Sequence, residues 1–304
     1  MIRSQQTAKA LGSDVVLTVV TKNEKAAKQL FTVLWPKIHA FEKRFSRFLP
    51  DSELSYLNAN AGKEIHVSLE LRDMLRIAKY YGDQTGGIYN PFTLPALQQA
   101  GYTGSWPTPE KHAPGLNFSD RKVVNTDSLE LSGSSARIPA GAALDFGGIG
   151  KGYLLDQLGD YLTSQNVAGY WLSLGGDILC NGSDAGGNLW KIGIAKADHP
   201  DEAAAYITSD GDRYAIATSG ITKRKGADWH HIIDPRSGRP ATTDILTATV
   251  TGESATAADV YAKCLVILGA RQAVKFIKDH SLASALLQIR HNNSVEIKRY
   301  GALT

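Results

Sequence analysis

Apolar residues recur along this chain at two periods. Residues 14–20 (DVVLTVV) form a β-branched run, which predicts a strand. Residues 24–45 switch to helical spacing, with Leu30, Leu34, Ile38, Phe41 and Phe45 on one stripe and a break or kink expected near Pro36. Residues 48–60 read as polar and turn-rich. Ser68 stands where a helix cap would, ahead of a stripe of Leu71, Leu75 and Ala78, and TGGIYNP at 85–91 ends that helix. Residues 101–140 mix Gly, Pro and Ser with strand-like pieces such as 122–124, the pattern of a surface excursion. Leu154, Leu155, Leu158 and Leu162 predict an amphipathic helix. Further strands are expected over 170–174, 189–195, 213–218, 245–251, 284–290 and 294–298, and helices over 255–268 and 271–280. No repeat, linker or composition shift divides the chain. The irregular alternation predicts one α+β (mixed α/β) unit over 1–304, with a largely antiparallel sheet and flanking helices.

Composition narrows the function classes. The chain has 304 residues, enough for a sizeable core, and its 43% hydrophobic and 21% charged content is ordinary for a water-exposed globular fold. A formal charge of +3, with Lys and Arg scattered, argues against nucleic acid as a partner. The densest basic run, TKRK at 222–225, is either a solvated loop or an electrostatic contact for a phosphate. Cys180 and Cys264 stand far apart in apolar stretches and read as buried free thiols. There is no apolar leader, no lipidation cysteine and no stretch of membrane-spanning length, so a cytoplasmic location is expected.

The chemistry concentrates at 143–156, ALDFGGIGKGYLLD. Its glycines and lysine suit close approach of backbone to a phosphate at a helix start. The two common nucleotide motifs fail by counting. A Walker loop ending at Gly150-Lys151 needs Gly where Asp145 stands and a hydroxyl where Gly152 stands. The dinucleotide fingerprint needs Gly where Tyr153 stands. A tight turn with close helix packing remains the simpler reading of the stretch alone. WLSLGGD at 171–177 suits either close backbone approach or a hairpin turn. WHHIIDPRSGRP at 229–240 puts two histidines before two turns; adjacent histidines on a strand point to opposite sides, a poor arrangement for zinc. Asp259 and Lys263, four apart on an expected helix, share one face, as a surface ion pair or as groups aimed into a pocket.

Together and in order, these blocks resemble the ApbE family of FAD:protein FMN transferases over about residues 8–290. FLPDSELSYLN, NPFTLPALQQAGY, ALDFGGIGKGYLLD, WLSLGGD, ATSG, HHIIDPRSGRP and ADVYAKCLVILG carry the resemblance, the histidine block most specifically. It implies a T-fold-like unit and attack on the FAD diphosphate. FMN would pass to a Thr or Ser hydroxyl in an Asp-x-x-Thr/Ser type of motif on an acceptor flavoprotein, with AMP released and Mg2+ usually assisting. FAD hydrolysis to FMN and AMP, or FAD binding without catalysis, are the alternatives. By position, the resemblance implies FAD contacts at Leu11, Phe48, Ala100, Gly101, Tyr102, Asp145, Lys151, Gly175, Gly176, His231 and Asp234. It places metal near Gly148 and Asp259 and makes Asp259 the probable base. The sequence departs from the family pattern at several positions. Lys263 stands where the family has a metal-ligating Thr, and a protonated lysine has no lone pair for Mg2+. One expectation is that its ammonium acts catalytically, supplying part of the metal's charge. Asn90 replaces a usual Asp, Ser237 a Thr, Gly150 an Ala, Leu11 a Met and Phe48 a Tyr.

Overall fold

Side chains along the central strands alternate between two apolar layers, as a sheet covered on both faces requires. The computed structural model describes residues 1–104, 123–226, 229–292 and 294–302. Eight strands form the main sheet: β1 (Ile2–Ala10), β2 (Ser13–Thr21), β3 (Gly169–Leu174), β4 (Asp177–Gly182), β5 (Tyr214–Gly220), β6 (Ile245–Gly252), β7 (Ser284–His291) and β8 (Ser294–Gly301). They lie side by side in chain order, and each pairing is antiparallel. The α+β class expected from the sequence is the one found.

Leu179, Ala215, Ala217, Ala285, Leu287 and Ile289 face the larger layer. Their neighbours Ile178, Cys180, Ile216 and Leu286 face the smaller one. A two-stranded ribbon, Lys191–Ala195 with Ala203–Thr208, closes the smaller layer with Ile192, Ile194 and Ile207. The larger layer packs against helices α1 (Glu24–Phe45), α2 (Glu53–Ala59), α3 (Leu69–Gln84), α4 (Leu94–Gln99), α5 (Gly150–Ser164) and α6 (Ala255–Asp279). Cys180 and Cys264 are buried free thiols, one under each layer.

Local chemistry sets the helix ends. Asn23, Ser52, Ser68 and Ser254 each accept a backbone N–H three residues on, opening α1, α2, α3 and α6. Pro36 does not interrupt α1; Pro36 and Thr32, whose carbonyl loses its helical partner, are both exposed. Gly269, at φ 72°, bends α6 into the two helical pieces expected, and Asp244 Oδ1 takes the Ala270 N–H (2.8 Å) at the second start.

Three expectations need correction. The turn-rich stretch 48–60 contains α2. Val123 and Val124 belong to no strand, while Lys122 and the rest of 105–122 lie outside the described residues. The strand expected from 189 begins at Lys191. No helix among the described residues is long and apolar enough to cross a membrane.

Candidate functional site

One cavity opens where the loop ahead of α5 meets the end of α1, the β1–β2 turn, the 221–235 segment and α6. Asn58 brackets the loop from α2, its amide exchanging hydrogen bonds with Leu144 N and O (2.8 and 3.0 Å). Asp145 folds back on the same loop. Its N–H donates to Pro91 O (2.8 Å), Oδ1 accepts from Gly147 N–H (2.8 Å), and Oδ2 pairs with Arg47 Nε (2.6 Å). Helix α5 then starts at Gly150 with no side-chain cap from Ile149; instead Gly150 N–H donates to Phe146 O (2.8 Å).

None of Gly147, Gly148 and Gly150 adopts a positive φ; Gly152 is required for space. A Cβ on Gly148 would collide with the end of the Lys263 side chain. A Cβ on Gly152 would run into the backbone at Ala255, where α5 and α6 cross. Gly152 N–H donates to Asp259 Oδ2 across that crossing (3.3 Å).

Charge around the cavity is unevenly matched. Arg47 pairs with Asp145, and Lys151 pairs with Asp177, which also accepts Thr218 N–H (3.1 Å). Lys263 and Arg224 also line the cavity, and no carboxylate among the described residues pairs with either. Among the described residues Arg224 donates to Ser13 Oγ (3.4 Å), and it holds a left-handed φ of 49°. Leu11, also left-handed at φ 56°, is fixed by its N–H donating to Glu42 Oε1 (2.8 Å). The Tyr89 hydroxyl and His231 Nδ1 are buried, line the cavity and have no partner among the described residues. Buried polar groups are rarely left so. Phe48 and Tyr102, which also line the cavity, meet edge to face (5.9 Å), Tyr102 lies near Trp229 and His231 (6.2 Å each), and the Arg47 guanidinium sits over Phe48 (4.1 Å).

Leu11, Phe48, Tyr102, Asp145, Gly148, Lys151, His231 and Lys263 all line this cavity. Six other residues expected at the site do not. Ala100 and Gly101 (φ 98°) end α4 and place Tyr102. Gly175 and Gly176 (φ 64° and 99°) make the tight β3–β4 hairpin turn that puts Asp177 against Lys151. Asp234 is tied to Arg236 in a turn closed by Gly238, while its neighbours Ile233 and Pro235 reach the cavity. Asp259 is buried just behind the wall. Arg47, Glu42, Tyr89 and Asn58 escape sequence reasoning because only tertiary contacts join them to the site; Arg224 lies in the basic run already noted.

The donor set does not fit a divalent ion between Gly148 and Asp259. Mg2+ demands near-octahedral oxygen ligands, and here an ammonium packs onto Gly148. Among the described residues no group of three His, Cys, Asp or Glu side chains could hold a metal.

Burial holds the His231 imidazole well below the ordinary histidine range, and the charges of Lys263 and Arg224 push the same way. The folded chain therefore keeps His231 neutral where the unfolded chain binds a proton. Stability is lost as pH falls below about 6.5, at up to about 1.4 kcal/mol per pH unit. His230, also lowered by burial, adds in the same sense. We expect His231→Gln to flatten the decline of Tm between about pH 6.5 and 5; a slope equal to that of the parent chain would contradict this account.

Comparison with known proteins bears on this geometry. A model of the ApbE family matches residues 11–287. An FAD:protein FMN transferase of Vibrio cholerae serotype O1 is 29% identical over 251 residues, 80% of this chain and 74% of that one. One from Treponema pallidum is 29% identical over 280 residues, 86% and 76% of the two chains. Among solved structures, the flavin transferase ApbE from Vibrio cholerae superposes with a TM-score of 0.81 at 23% identity, covering 99% of this chain and 98% of that one. The Pseudomonas stutzeri flavinyl transferase ApbE gives 0.85 at 21% identity, covering 98% and 94%. The match to the family model over most of the chain, on the fold those structures share, places this protein in the ApbE family.

Proposed function

We propose that this chain, acting as one unit, transfers FMN from FAD to a Thr or Ser hydroxyl of an acceptor flavoprotein and releases AMP. The observation that carries the reading is the cavity itself. Two cations without carboxylate partners among the described residues, Lys263 and Arg224, line it together with the rings of Phe48 and Tyr102. A diphosphate flanked by two planar ring systems has the matching chemistry. The names of the chain's relatives support the same assignment.

In the proposed step the acceptor oxygen attacks the phosphorus on the FMN side. The new P–O bond forms as the bond to the AMP phosphate oxygen breaks, and AMP leaves with that oxygen. The hydroxyl proton passes to a carboxylate. We assign that role to Asp259, which lies just behind the cavity wall. Asp145 and Asp177 have both oxygens engaged, whereas Asp259 accepts a single long hydrogen bond among the described residues. Lys263 and Arg224 meet the diphosphate charge, with the α5 start beside them. Asp145, turned inward, positions Arg47 and the loop.

Tyr102 and Phe48 would stack on or edge a ring of FAD. Such stacking contributes about 1–3 kcal/mol per ring, so Tyr102→Ala should weaken FAD binding about tenfold or more in a fluorescence titration. An unchanged Kd would move the rings elsewhere. The function is tested by incubating the chain with FAD and an acceptor carrying an Asp-x-x-Thr/Ser motif. Flavin covalently on the acceptor supports transfer. FMN and AMP without an adduct make it a pyrophosphatase, and intact bound FAD makes it a carrier.

A further inference from the structure

We infer that Lys263 is a built-in cation for the FAD diphosphate, held at Gly148 where a divalent ion would otherwise sit, so that this chain binds FAD without added metal. The inference rests on the FAD reading above. Four observations carry it.

The end of the side chain lies directly against Gly148, in the space a Cβ there would take. Its ammonium faces the cavity with no hydrogen bond or ion pair among the described residues, although it is half-buried. The other lysine at this wall is already paired with Asp177, and Arg47 with Asp145. That leaves Lys263 and Arg224, two positive charges, for the two negative charges of a diphosphate. Finally, Asp259 stands one helical turn before Lys263 on α6, so the carboxylate and the ammonium reach the α5 start from the same face.

A protonated lysine supplies charge but no lone pair, so it excludes coordination by its own atoms while doing part of an ion's electrostatic work. It differs from an ion in being covalently fixed, which makes binding independent of metal concentration. A Mg2+ bound beside it would have to tolerate Lys263, Lys151 and Arg224 together.

The test is FAD affinity, read by flavin fluorescence, in EDTA and in excess MgCl2. For the parent chain we expect Kd values within about threefold of each other. Lys263→Thr, which restores a hydroxyl, should lose at least tenfold in EDTA and recover with Mg2+. Lys263→Gln, with neither charge nor a hydroxyl, should lose as much and gain little from Mg2+. Unchanged melting temperatures separate these losses from misfolding, and Lys263→Arg keeps the charge as a further control if Lys263→Thr fails to fold. A parent chain that binds FAD only with Mg2+ overturns the inference and leaves the FAD reading standing. So does a Lys263→Thr variant that binds as tightly as the parent in EDTA. A parent chain that binds FAD in neither buffer overturns both.

Discussion

Asp259→Asn should lower FMN transfer by about 100-fold or more, the usual scale for loss of a general base, while FAD affinity changes by no more than a few-fold. Asn keeps an oxygen for the Gly152 N–H, so the crossing of α5 and α6 survives. It cannot take a proton at neutral pH. Removing a negative charge from beside Lys263 does not weaken the hold on an anionic diphosphate, so the loss falls on turnover rather than on binding. Single-turnover AMP release with FAD saturating separates the two. Glu42 provides the comparison, because it is a carboxylate that lines the cavity itself. Glu42→Gln retains an acceptor for Leu11 N–H and should stay within a few-fold of the parent. Normal turnover in Asp259→Asn, or its collapse in Glu42→Gln instead, would remove Asp259 from the proton-accepting role.

Asp156→Ala should be the most damaging single change to the fold. This carboxylate on α5 accepts from Ser254 Oγ, Ala255 N–H and Thr256 N–H (2.9 Å each), from Thr256 Oγ1 (2.6 Å) and from Arg213 Nη2 (2.8 Å). It thus serves the donors at the start of α6 and neutralises Arg213. Truncation leaves Arg213 with Asp160 (2.6 Å) but removes the acceptor of the donors at the start of α6 in a partly buried site. Each donor left unsatisfied there costs about 1–3 kcal/mol, and with about 2–4 °C lost per kcal/mol the Tm should fall by roughly 10 °C. The same bonds set where α6 begins, and hence where Asp259 and Lys263 stand against Gly148 and Gly152. Transfer measured well below the lowered Tm should therefore also drop. A Tm within about 2 °C of the parent would show that other contacts hold the crossing.

Much of the fold was readable in the sequence, and the exceptions have physical causes. Most strands of the main sheet announced themselves by apolar runs, and the two pieces of α6 by apolar stripes on either side of Gly269; buried β4 did not, because DILCNG is short and follows directly on the glycine turn. Strand β1 did not, because IRSQQTAKA is an edge strand with only Ala10 buried, so its side chains carry no alternation. Helix α2 is short and polar, and its Ser52 cap looks like any turn serine. At the site, the blocks that form sharp turns were visible as motifs. The two glycines of WLSLGGD prove to be a hairpin turn, and their effect on the cavity is exerted through Asp177 and Lys151. The glycines at 147, 148 and 150 look like a flexible cradle in sequence, yet none needs a left-handed backbone. What Gly148 provides is room for a side chain 115 residues further on (263 − 148). Such a pairing exists only once α5 and α6 have crossed. Tyr89, Arg47 and Asn58 were hidden for the same reason.

The central claim is that FAD is split between its phosphates in order to move FMN onto a hydroxyl. AMP release counted against an acceptor and its hydroxyl-deleted Thr→Val form tests it most directly. The account predicts one AMP per flavin attached with the intact acceptor, and near-background AMP with the Val form. Equal AMP release with both acceptors, and no flavin on either, would contradict it.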